Sequence, residues 1–552
     1  MRFGFGISSP PDSTTTTANT LQLPASPPPS TPKEELQWVP LQHHPVFSAV
    51  HGDNNHSSAA KTAANLLAWD GASRLYVWDS HKRCLHRISI RLGEAESNTI
   101  LAASPSKVLQ ADAQLKFDVY KISINKNGSA LLLSGMEGLC VMYLYGRSTS
   151  KENTMICRTV SIGSEIYFNK NIIRTLQISW HPYSESHMGI LSSDSVFRIF
   201  NLSSGLDKPE QEYYLQPIEP GSSRKVASSC PVSFSFGGDH LWDRFSVFTL
   251  FSDGSVYILC PVVPFGSVYK WELLLEIYSD AQICGLNSHH PEAVSTSSLA
   301  ISWLEATFPE LAKQAEESGH PLAVKAQPYV LLDSAVSLQG PLRKLCLSEG
   351  PDDEIKAAPC EGRAVSFLYD IVGKDTLLIT AWSGGQLQIE ALADEIQPVW
   401  NVNSRPRLSV DVHNHVVGVA MICESVSNDM SMLKLNQPPD YTVWMAQPPL
   451  LLTLAIVDLA LPNKNETLIT MFVDPLISER IYCLHNGGTD SIILHFLPFT
   501  NQSTGKDDKM RSPSVNPVLS PRRNIFIIWS LWFSSFVRLV WRFVDCWTYF
   551  PS

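Results

Sequence analysis

The stretch VFTLFSDGSVYILCPV at residues 247–262 shows the pattern that decides the fold: an apolar run, a tight turn and a second apolar run. Asp and Gly tolerate the positive φ of a short turn, while β-branched and aromatic residues suit the flanking strands. The segment therefore predicts a β-hairpin. The same pattern recurs at residues 68–79, 131–144, 189–202, 377–392 and 481–497.

The hairpins recur at long and similar intervals. The turn residues Glu137, Asp194 and Asp253 lie 57 and 59 residues apart. Such repetition indicates a radial or solenoid architecture, and four-stranded β-propeller blades fit it best. Because a WD40 repeat takes only about 40–45 residues, we expect long loops. The prediction is an all-β, WD40-like propeller with helical and loop insertions.

Composition divides the chain into four regions. Residues 1–37 are predicted to be a disordered leader, since 18 of the 25 residues in 8–32 are Ser, Thr or Pro. The propeller is expected over 38–500, followed by a polar linker at 501–524. An aromatic-rich tail at 525–552 ends the chain.

The tail contains 10 aromatic residues in 28 positions and admits three interpretations. As a membrane anchor, its uninterrupted apolar part at 525–537 is shorter than the roughly 20 residues that span a bilayer, and extending it adds Arg538 and Arg542. As an interfacial amphipathic helix, it lacks a broad polar face. We favour the third interpretation, translated non-coding sequence that is not native to the rest of the chain.

Charge and motifs argue against nucleic-acid binding and catalysis. The net charge of −11 is unlike the basic surface that nucleic acid requires. Neither a phosphate-binding loop nor a nucleophile elbow occurs, and the cluster of His181, His187 and Asp194 is interpreted as part of a turn. Eleven dispersed cysteines without a C-x-x-C pair indicate a reducing compartment. We therefore predict a protein that is not an enzyme, with no catalytic, cofactor-binding or metal-binding residue and no cofactor.

Three segments interrupt the hairpin pattern. Residues 203–231 are expected to be a long surface loop, and residues 424–440 a polar insertion. Residues 298–318 are predicted to be helical, with a break or kink at Pro309. This helical insertion offers Trp303 and Phe308 as apolar anchors for a docking partner; the alternative is that both aromatic side chains pack against a blade.

Several longer strings resemble plant members of the eighty-eight-kilodalton nucleoporin family, a linker on the cytoplasmic face of the nuclear pore. They include WVPLQHHPVF at 38–47, AWDGASRLYVWDS at 68–80, FSFGGDHLWDRF at 234–245, DGSVYILCPVVPFGSVYKWE at 253–272 and SLAISWLEATFPEL at 298–311. The resemblance runs from about residue 38 to about residue 519. The resemblance is specific because of its length and the order of its strings. It does not depend on a catalytic signature.

The resemblance implies a seven-bladed propeller followed by a long coiled coil. In the family, the propeller docks the autoproteolytic, GLFG-bearing nucleoporin, and the coiled coil joins FG nucleoporins of the cytoplasmic filaments. The implied role is a scaffold in the nuclear envelope that supports export of mRNA and ribosomal subunits and traffic of nuclear proteins. An export receptor is an indirect partner.

The sequence departs from the family pattern near its end. No heptad repeat follows the propeller, and the similar stretch ends near Leu519, so we expect a truncated chain that lacks the last blade and the coiled coil. Two other functions remain as alternatives: a membrane-tethered propeller adaptor, which depends on the tail, and a propeller enzyme, which would need convergent polar residues in several blades.

Overall fold

The computed structural model describes most of the chain between residues 38 and 519. The described ranges are 38–49, 65–92, 101–135, 138–148, 153–167, 173–217, 229–287, 291–312, 321–346, 360–402, 404–425, 448–461, 469–474, 476–485, 487–500 and 512–519. The chain divides into two compact units, Met1–Gln37 and Trp38–Ser552. The predicted disordered leader and the aromatic tail both lie outside the described residues, so the fold below is that of the second unit.

The first sheet follows a short entry segment that contains a 3₁₀ turn, Leu41–His43, and helix α1, Pro45–Ala49. Its strands are β1 (Val39–Pro40), β2 (Leu67–Trp69), β3 (Arg74–Asp79), β4 (Cys84–Leu92), β5 (Leu101–Ala103) and β6 (Lys107–Ala111). Four of them form an antiparallel sheet in the order β2-β3-β4-β6, and β1 and β5 pair beside β4. The turn between β2 and β3 is stabilised by Asp70, whose side chain accepts hydrogen bonds from the amides of Ala72 and Ser73 at 2.9 and 3.0 Å.

The second and third sheets each have four antiparallel strands in chain order. The second contains β7 (Val119–Ile124), β8 (Ala130–Gly135), β9 (Leu139–Ser148) and β10 (Thr154–Ser161), with helix α2 (Ser164–Tyr167) after it. The third contains β11 (Thr175–Trp180), β12 (His187–Ser192), β13 (Val196–Asn201) and β14 (Gln211–Gln216). The outer strands β6 and β10 pair in parallel, which joins the first two sheets.

The fourth sheet carries a helical insertion. Its elements are β15 (Pro231–Phe236), a 3₁₀ turn (Leu241–Phe245), β16 (Val247–Phe251), β17 (Val256–Leu259), β18 (Val268–Lys270), α3 (Trp271–Asn287), α4 (Pro291–Thr307), β19 (Ala323–Lys325), β20 (Ala335–Val336) and β21 (Leu338–Gln339). The sheet order is β15-β16-β17-β21. Strands β18 and β19 form a separate ribbon from which the two helices project.

The fifth and sixth sheets complete the described chain. The fifth region contains β22 (Lys344–Cys346), β23 (Ala364–Val372), β24 (Asp375–Trp382), β25 (Gln386–Leu392), β26 (Trp400–Asn401), β27 (Arg407–Val410), β28 (Val416–Glu424) and β29 (Leu451–Asp458). The sixth contains β30 (Thr470–Val473), β31 (Arg480–His485), β32 (Gly488–Ile493) and β33 (Ser514–Leu519). In the fifth sheet the order is β22-β29-β25-β24-β23, and in the sixth it follows the chain.

Consecutive sheets contact one another through their first strands, as the blades of a propeller do. These contacts join β2 to β7, β11 to β15, β15 to β23 and β23 to β30. The indole of Trp180 on β11 also donates a hydrogen bond to the carbonyl of Ser123 on β7 at 3.3 Å. Second strands such as β8, β12 and β24 are buried at every position. The sheets therefore stack face to face, which explains the near-continuous apolar runs of the hairpins.

All six predicted hairpins are present, and so is the propeller fold. Over the described residues we count six blade-like sheets, one fewer than the seven that the family resemblance implies; the fifth has five strands, and β27 and β28 extend the third to six. Three sequence predictions need correction: the polar linker predicted at 501–524 contains strand β33, which pairs with β32 in the sixth sheet. The expected loop at 203–231 contains strand β14, and the predicted helix at 298–318 begins earlier, at Pro291, and ends at Thr307. The polar insertion at 424–440 lies almost wholly outside the described residues.

Candidate interaction surface

A hairpin inserted in the fifth region extends the third sheet. Strand β28 pairs in parallel with β14, from Gln211 opposite Val419 to Gln216 opposite Glu424. Strand β27 pairs antiparallel with β28, with Arg407 opposite Ala420. The third sheet thereby gains two strands, and β27 is its edge among the strands that the structure describes.

The hairpin is held in place at its turn and at its base. In the turn, Asp411 accepts hydrogen bonds from the amides of His413 and His415 at 2.8 Å each. These hydrogen bonds, that from His415 above all, lower the pKa of Asp411. At the base, the hydroxyl of Ser425 donates to the carbonyl of Gly340 at 2.6 Å. The edge strand is thus presented on a fixed support.

The hairpin and the adjoining strand β14 expose an unusual number of large apolar side chains. All four residues of β27 are exposed, and Val412 in the turn is 93% exposed. We call this surface the apolar edge; it consists of Tyr214, Leu408, Val410, Val412, Val417 and Ile422. In the strand register, Leu408 lies opposite the buried Val419 and Ile422 lies opposite Tyr214, so these exposed side chains lie on both faces of the sheet at this edge.

Beneath the apolar edge, charges are paired. The guanidinium of Arg198 on β13 donates to Asp194 at 2.6 Å and to Glu212 on β14 at 2.9 Å. Burial opposes the charged form, but the hydrogen bonds to Asp194 and Glu212 and the attraction of Asp194 outweigh it and raise the pKa of Arg198. This ion-pair network cross-links β13 and β14, the strand with which β28 of the hairpin pairs.

An exposed edge strand can accept a further strand. Its outer N–H and C=O groups lack partners within the sheet, and natural proteins usually protect such edges with Lys, Pro or a covering segment. Strand β27 contains neither Lys nor Pro, and Arg407 is its one charged residue. The arrangement is suited to binding an extended peptide by β-augmentation, with main-chain hydrogen bonds supplemented by apolar side-chain contacts.

The two aromatic side chains predicted as anchors lie in the interior. Trp303 is 6% exposed and Phe308 is fully buried. Phe308 stacks on Phe245, with ring centroids 6.0 Å apart, and packs edge-on against Tyr269 at 5.7 Å. Trp303 packs against Trp242 at 6.3 Å. The structure therefore corrects the expected exposure of both side chains: they attach the helical insertion to the fourth sheet, as the alternative interpretation stated.

The histidine cluster considered from the sequence is satisfied by other hydrogen bonds. His187 contacts the Ser184 hydroxyl through Nδ1 at 2.6 Å and Glu210 through Nε2 at 3.3 Å. Burial lowers the pKa of His181 to about 3, so this ring is neutral. Asp194 binds Arg198 instead of either imidazole. These side chains serve the packing of the third sheet, as the turn interpretation required.

Sequence reasoning missed the apolar edge. Its signal was present: Leu408 and Val410, and Val412 within the turn at 411–415, alternate with polar residues, and a second apolar run follows. The sequence did not show that the hairpin pairs with β14, about 200 residues away, because parallel pairing of distant strands has no local signature.

Comparison with known proteins identifies the relatives of this fold. Residues 37–240 match the family model Nup88, described as a nuclear pore component. Over 495 residues, or 89% of the chain, the sequence is 57% identical to the nuclear pore complex protein NUP88 of Arabidopsis thaliana. The chain is a homologue of Nup88. It spans 61% of the length of the Arabidopsis NUP88.

Solved structures support the fold independently. A chain in the crystal structure of the Chaetomium thermophilum Nup82 NTD–Nup159 tail–Nup145N APD complex aligns with a TM-score of 0.56 at 13% identity, covering 84% of this chain and 90% of that one. A chain in the yeast Nup82–Nup159–Nup116 complex aligns with a TM-score of 0.50, also at 13% identity, covering 78% and 82%. At this identity the likeness shows the propeller fold alone.

The Arabidopsis relative and the family model are both described as nuclear pore proteins. Both agree with the sequence predictions. No helix within the described ranges combines the length and the apolar character needed to cross a bilayer. The aromatic tail, on which the membrane-tethered alternative depends, is not among those residues.

Proposed function

We propose that this chain is a scaffold of the nuclear pore complex that docks other nucleoporins on the cytoplasmic face. The observation that carries the proposal is the 57% identity to NUP88 over 89% of the chain, on a propeller fold. Through such docking the chain supports the export of mRNA and ribosomal subunits and the traffic of nuclear proteins. An export receptor would be reached indirectly, through the docked nucleoporins.

The partner of the propeller is, in this proposal, the autoproteolytic GLFG nucleoporin. Support comes from the solved relatives, in which a Nup82 NTD is assembled with a Nup159 tail and a Nup145N APD, or Nup82 with Nup159 and Nup116. FG nucleoporins of the cytoplasmic filaments belong, in the family resemblance, to a coiled coil after the propeller, and no heptad repeat in this sequence supplies it. Neither nucleic acid nor a membrane is a direct partner in this proposal.

The apolar edge is the surface that we propose for the docking of the GLFG nucleoporin. An extended segment of that partner would add a strand beside β27, so that its backbone groups pair with those of Arg407–Val410. The exposed side chains of Val410 and Val412 would then be covered. Because the hairpin is already ordered by its turn and its base, little conformational entropy is lost on binding.

The double substitution V410K/V412K tests this surface. Lysine on an edge strand disfavours strand addition, because its charge would have to be desolvated. We expect the affinity for the plant counterpart of the Nup145N APD to fall at least about tenfold, as for substitutions at a binding hot spot. The measurement is isothermal titration calorimetry with the whole chain.

A matched control uses the last described strand. V515K/V518K places two lysines on β33, where both valines are also partly exposed, at 37% and 38%. We expect this variant to bind as the unaltered chain does, and both variants to melt at the same temperature as that chain. Two results would exclude the apolar edge as the docking surface: an equal loss of affinity in both variants, or no loss of affinity in V410K/V412K. Neither result would exclude the scaffold role.

A further inference from the structure

Three buried side chains that are capable of binding a metal meet at the end of the β3–β4 hairpin. Asp79, the last residue of β3, is the register partner of Cys84, the first residue of β4, and His86 follows two residues later. Cross-strand partners lie on the same face of a sheet, as do residues two apart on one strand. The hairpin therefore places a carboxylate, a thiol and an imidazole side by side.

The distances match a tetrahedral metal site closely. Cys84 Sγ lies 3.8 Å from His86 Nε2, and that nitrogen lies 3.6 Å from Asp79 Oδ2. Around tetrahedral Zn²⁺, bond lengths of about 2.3 Å to sulfur and about 2.0–2.2 Å to nitrogen and oxygen place S and N about 3.6 Å apart and N and O about 3.4 Å apart. These two pairs have to close by only about 0.2 Å to coordinate one ion, and the third pair, Cys84 Sγ and Asp79, lies within 4.8 Å.

The surroundings leave one donor atom on each residue directed into the cluster. Asp79 Oδ1 accepts the amides of His81 and Lys82 at 3.0 Å each, which fixes the carboxylate and frees Oδ2. Lys82 Nζ lies 3.9 Å from Oδ2, on a side chain that is 65% exposed, so water screens its charge. Within the described part of the chain, His86 Nδ1 is buried without a hydrogen-bond partner. This unpartnered atom is not the one that faces the cluster: Nε2, which lies near Cys84 Sγ and Asp79 Oδ2, is the atom that would bind the ion.

We propose that Asp79, Cys84 and His86 bind one Zn²⁺ ion, with water as the fourth ligand. A thiolate together with an imidazole selects zinc over magnesium and calcium, which prefer oxygen ligands. The ion would tie the first and last residues of the hairpin turn together and so stabilise the first sheet. This inference is independent of the docking function.

Binding has to release a proton from Cys84. Burial raises the pKa of this thiol to about 11, so it is protonated at neutral pH in the absence of metal. On binding, the S–Zn bond replaces the S–H bond and the proton goes to solvent. Burial also lowers the pKa of His86, so the imidazole is neutral and its lone pair is available.

The test is a titration of the whole chain, after chelator treatment, with Zn²⁺ alone in the presence of a competing fluorescent chelator. We expect one Zn²⁺ per chain and a higher melting temperature with bound metal. Replacement of the thiol in C84S should weaken binding by more than about 100-fold, beyond the effect of losing an outer-shell contact. C230S, which removes an exposed thiol elsewhere, should bind as the unaltered chain does.

Co²⁺ provides a second measurement that does not depend on the folding of C84S. Co²⁺ bound at this site should show thiolate-to-metal charge-transfer absorption in the C230S chain, and D79N should weaken binding without removing that band. A stoichiometry below one Zn²⁺ per chain, or charge-transfer absorption that is absent from the C230S chain, would overturn the proposal. Zinc binding that is equal in C84S and C230S would overturn it as well.

Discussion

Substitution F308A tests whether the helical insertion belongs to the propeller core. Phe308 is fully buried, stacked on Phe245 and packed edge-on against Tyr269. Removing the ring forfeits about 2 kcal/mol of transfer free energy. A residual cavity of roughly 100 Å³, at about 24 cal/mol per Å³, adds about 2.4 kcal/mol. The free energy of unfolding should therefore fall by about 4 kcal/mol.

The assay is equilibrium unfolding of the whole chain in urea, followed by tryptophan fluorescence. The matched control is I283A, which removes an exposed side chain from helix α3 of the same insertion and should change stability by less than about 0.5 kcal/mol. If the F308A chain unfolds at the same urea concentration as the unaltered chain, yet no longer binds the GLFG nucleoporin, then Phe308 does not stabilise the core. This result would restore Phe308 as a docking residue.

Two further predictions concern contacts between the fourth and fifth sheets. Gly254 has φ +84°, and a Cβ there would lie 2.4 Å from the ring of Trp382. G254A should therefore lower the free energy of unfolding, measured in urea, by about 1–3 kcal/mol. The control G205A places no atom within 4 Å of the added Cβ and should leave that free energy unchanged or slightly raised. Burial raises the pKa of Asp243 from 3.8 to about 6, so the folded chain holds this proton more tightly than the unfolded chain. The free energy of unfolding should therefore fall as pH rises from about 4 to about 6, and D243N should flatten that part of the pH profile. A steeper or unchanged profile in D243N would contradict the assignment.

The hairpins were predictable because their determinants are local. In VFTLFSDGSVYILCPV, the turn residues and the flanking β-branched and aromatic residues specify two strands and their connection without any distant contact. The register within each hairpin follows from the length of the turn. The apolar run at 449–462 has the same local character and contains β29, although its position between β22 and β25 in the fifth sheet depends on pairing with distant strands.

The remaining elements were missed because their determinants are tertiary or ambiguous. The run WELLLEIY at the start of α3 is short and apolar, and such a run fits a strand as well as a buried helix. Strand β14 alternates buried and partly exposed residues over QEYYLQ, but the polar residues around it favoured a loop. The parallel pairings of β6 with β10 and of β14 with β28 involve separated segments and have no local signature.

The candidate sites differ in how far the sequence could have revealed them. The apolar edge had an alternation that could be detected, whereas its exposure depends on the position of β27 at the end of the third sheet. The Asp79, Cys84 and His86 cluster depends on register: one residue more or less in the turn would move Asp79 to the other face. Trp303 and Phe308 could not be assigned from sequence, because aromatic side chains serve cores and interfaces equally well.

Imaging of the chain in plant cells, with an N-terminal fluorescent tag and a second label on the nuclear pore, tests whether the chain is a component of the pore. We expect a rim of fluorescence at the nuclear envelope that coincides with the pore label. A signal spread through the cytosol, or one on other membranes, would contradict the assignment as a nucleoporin scaffold.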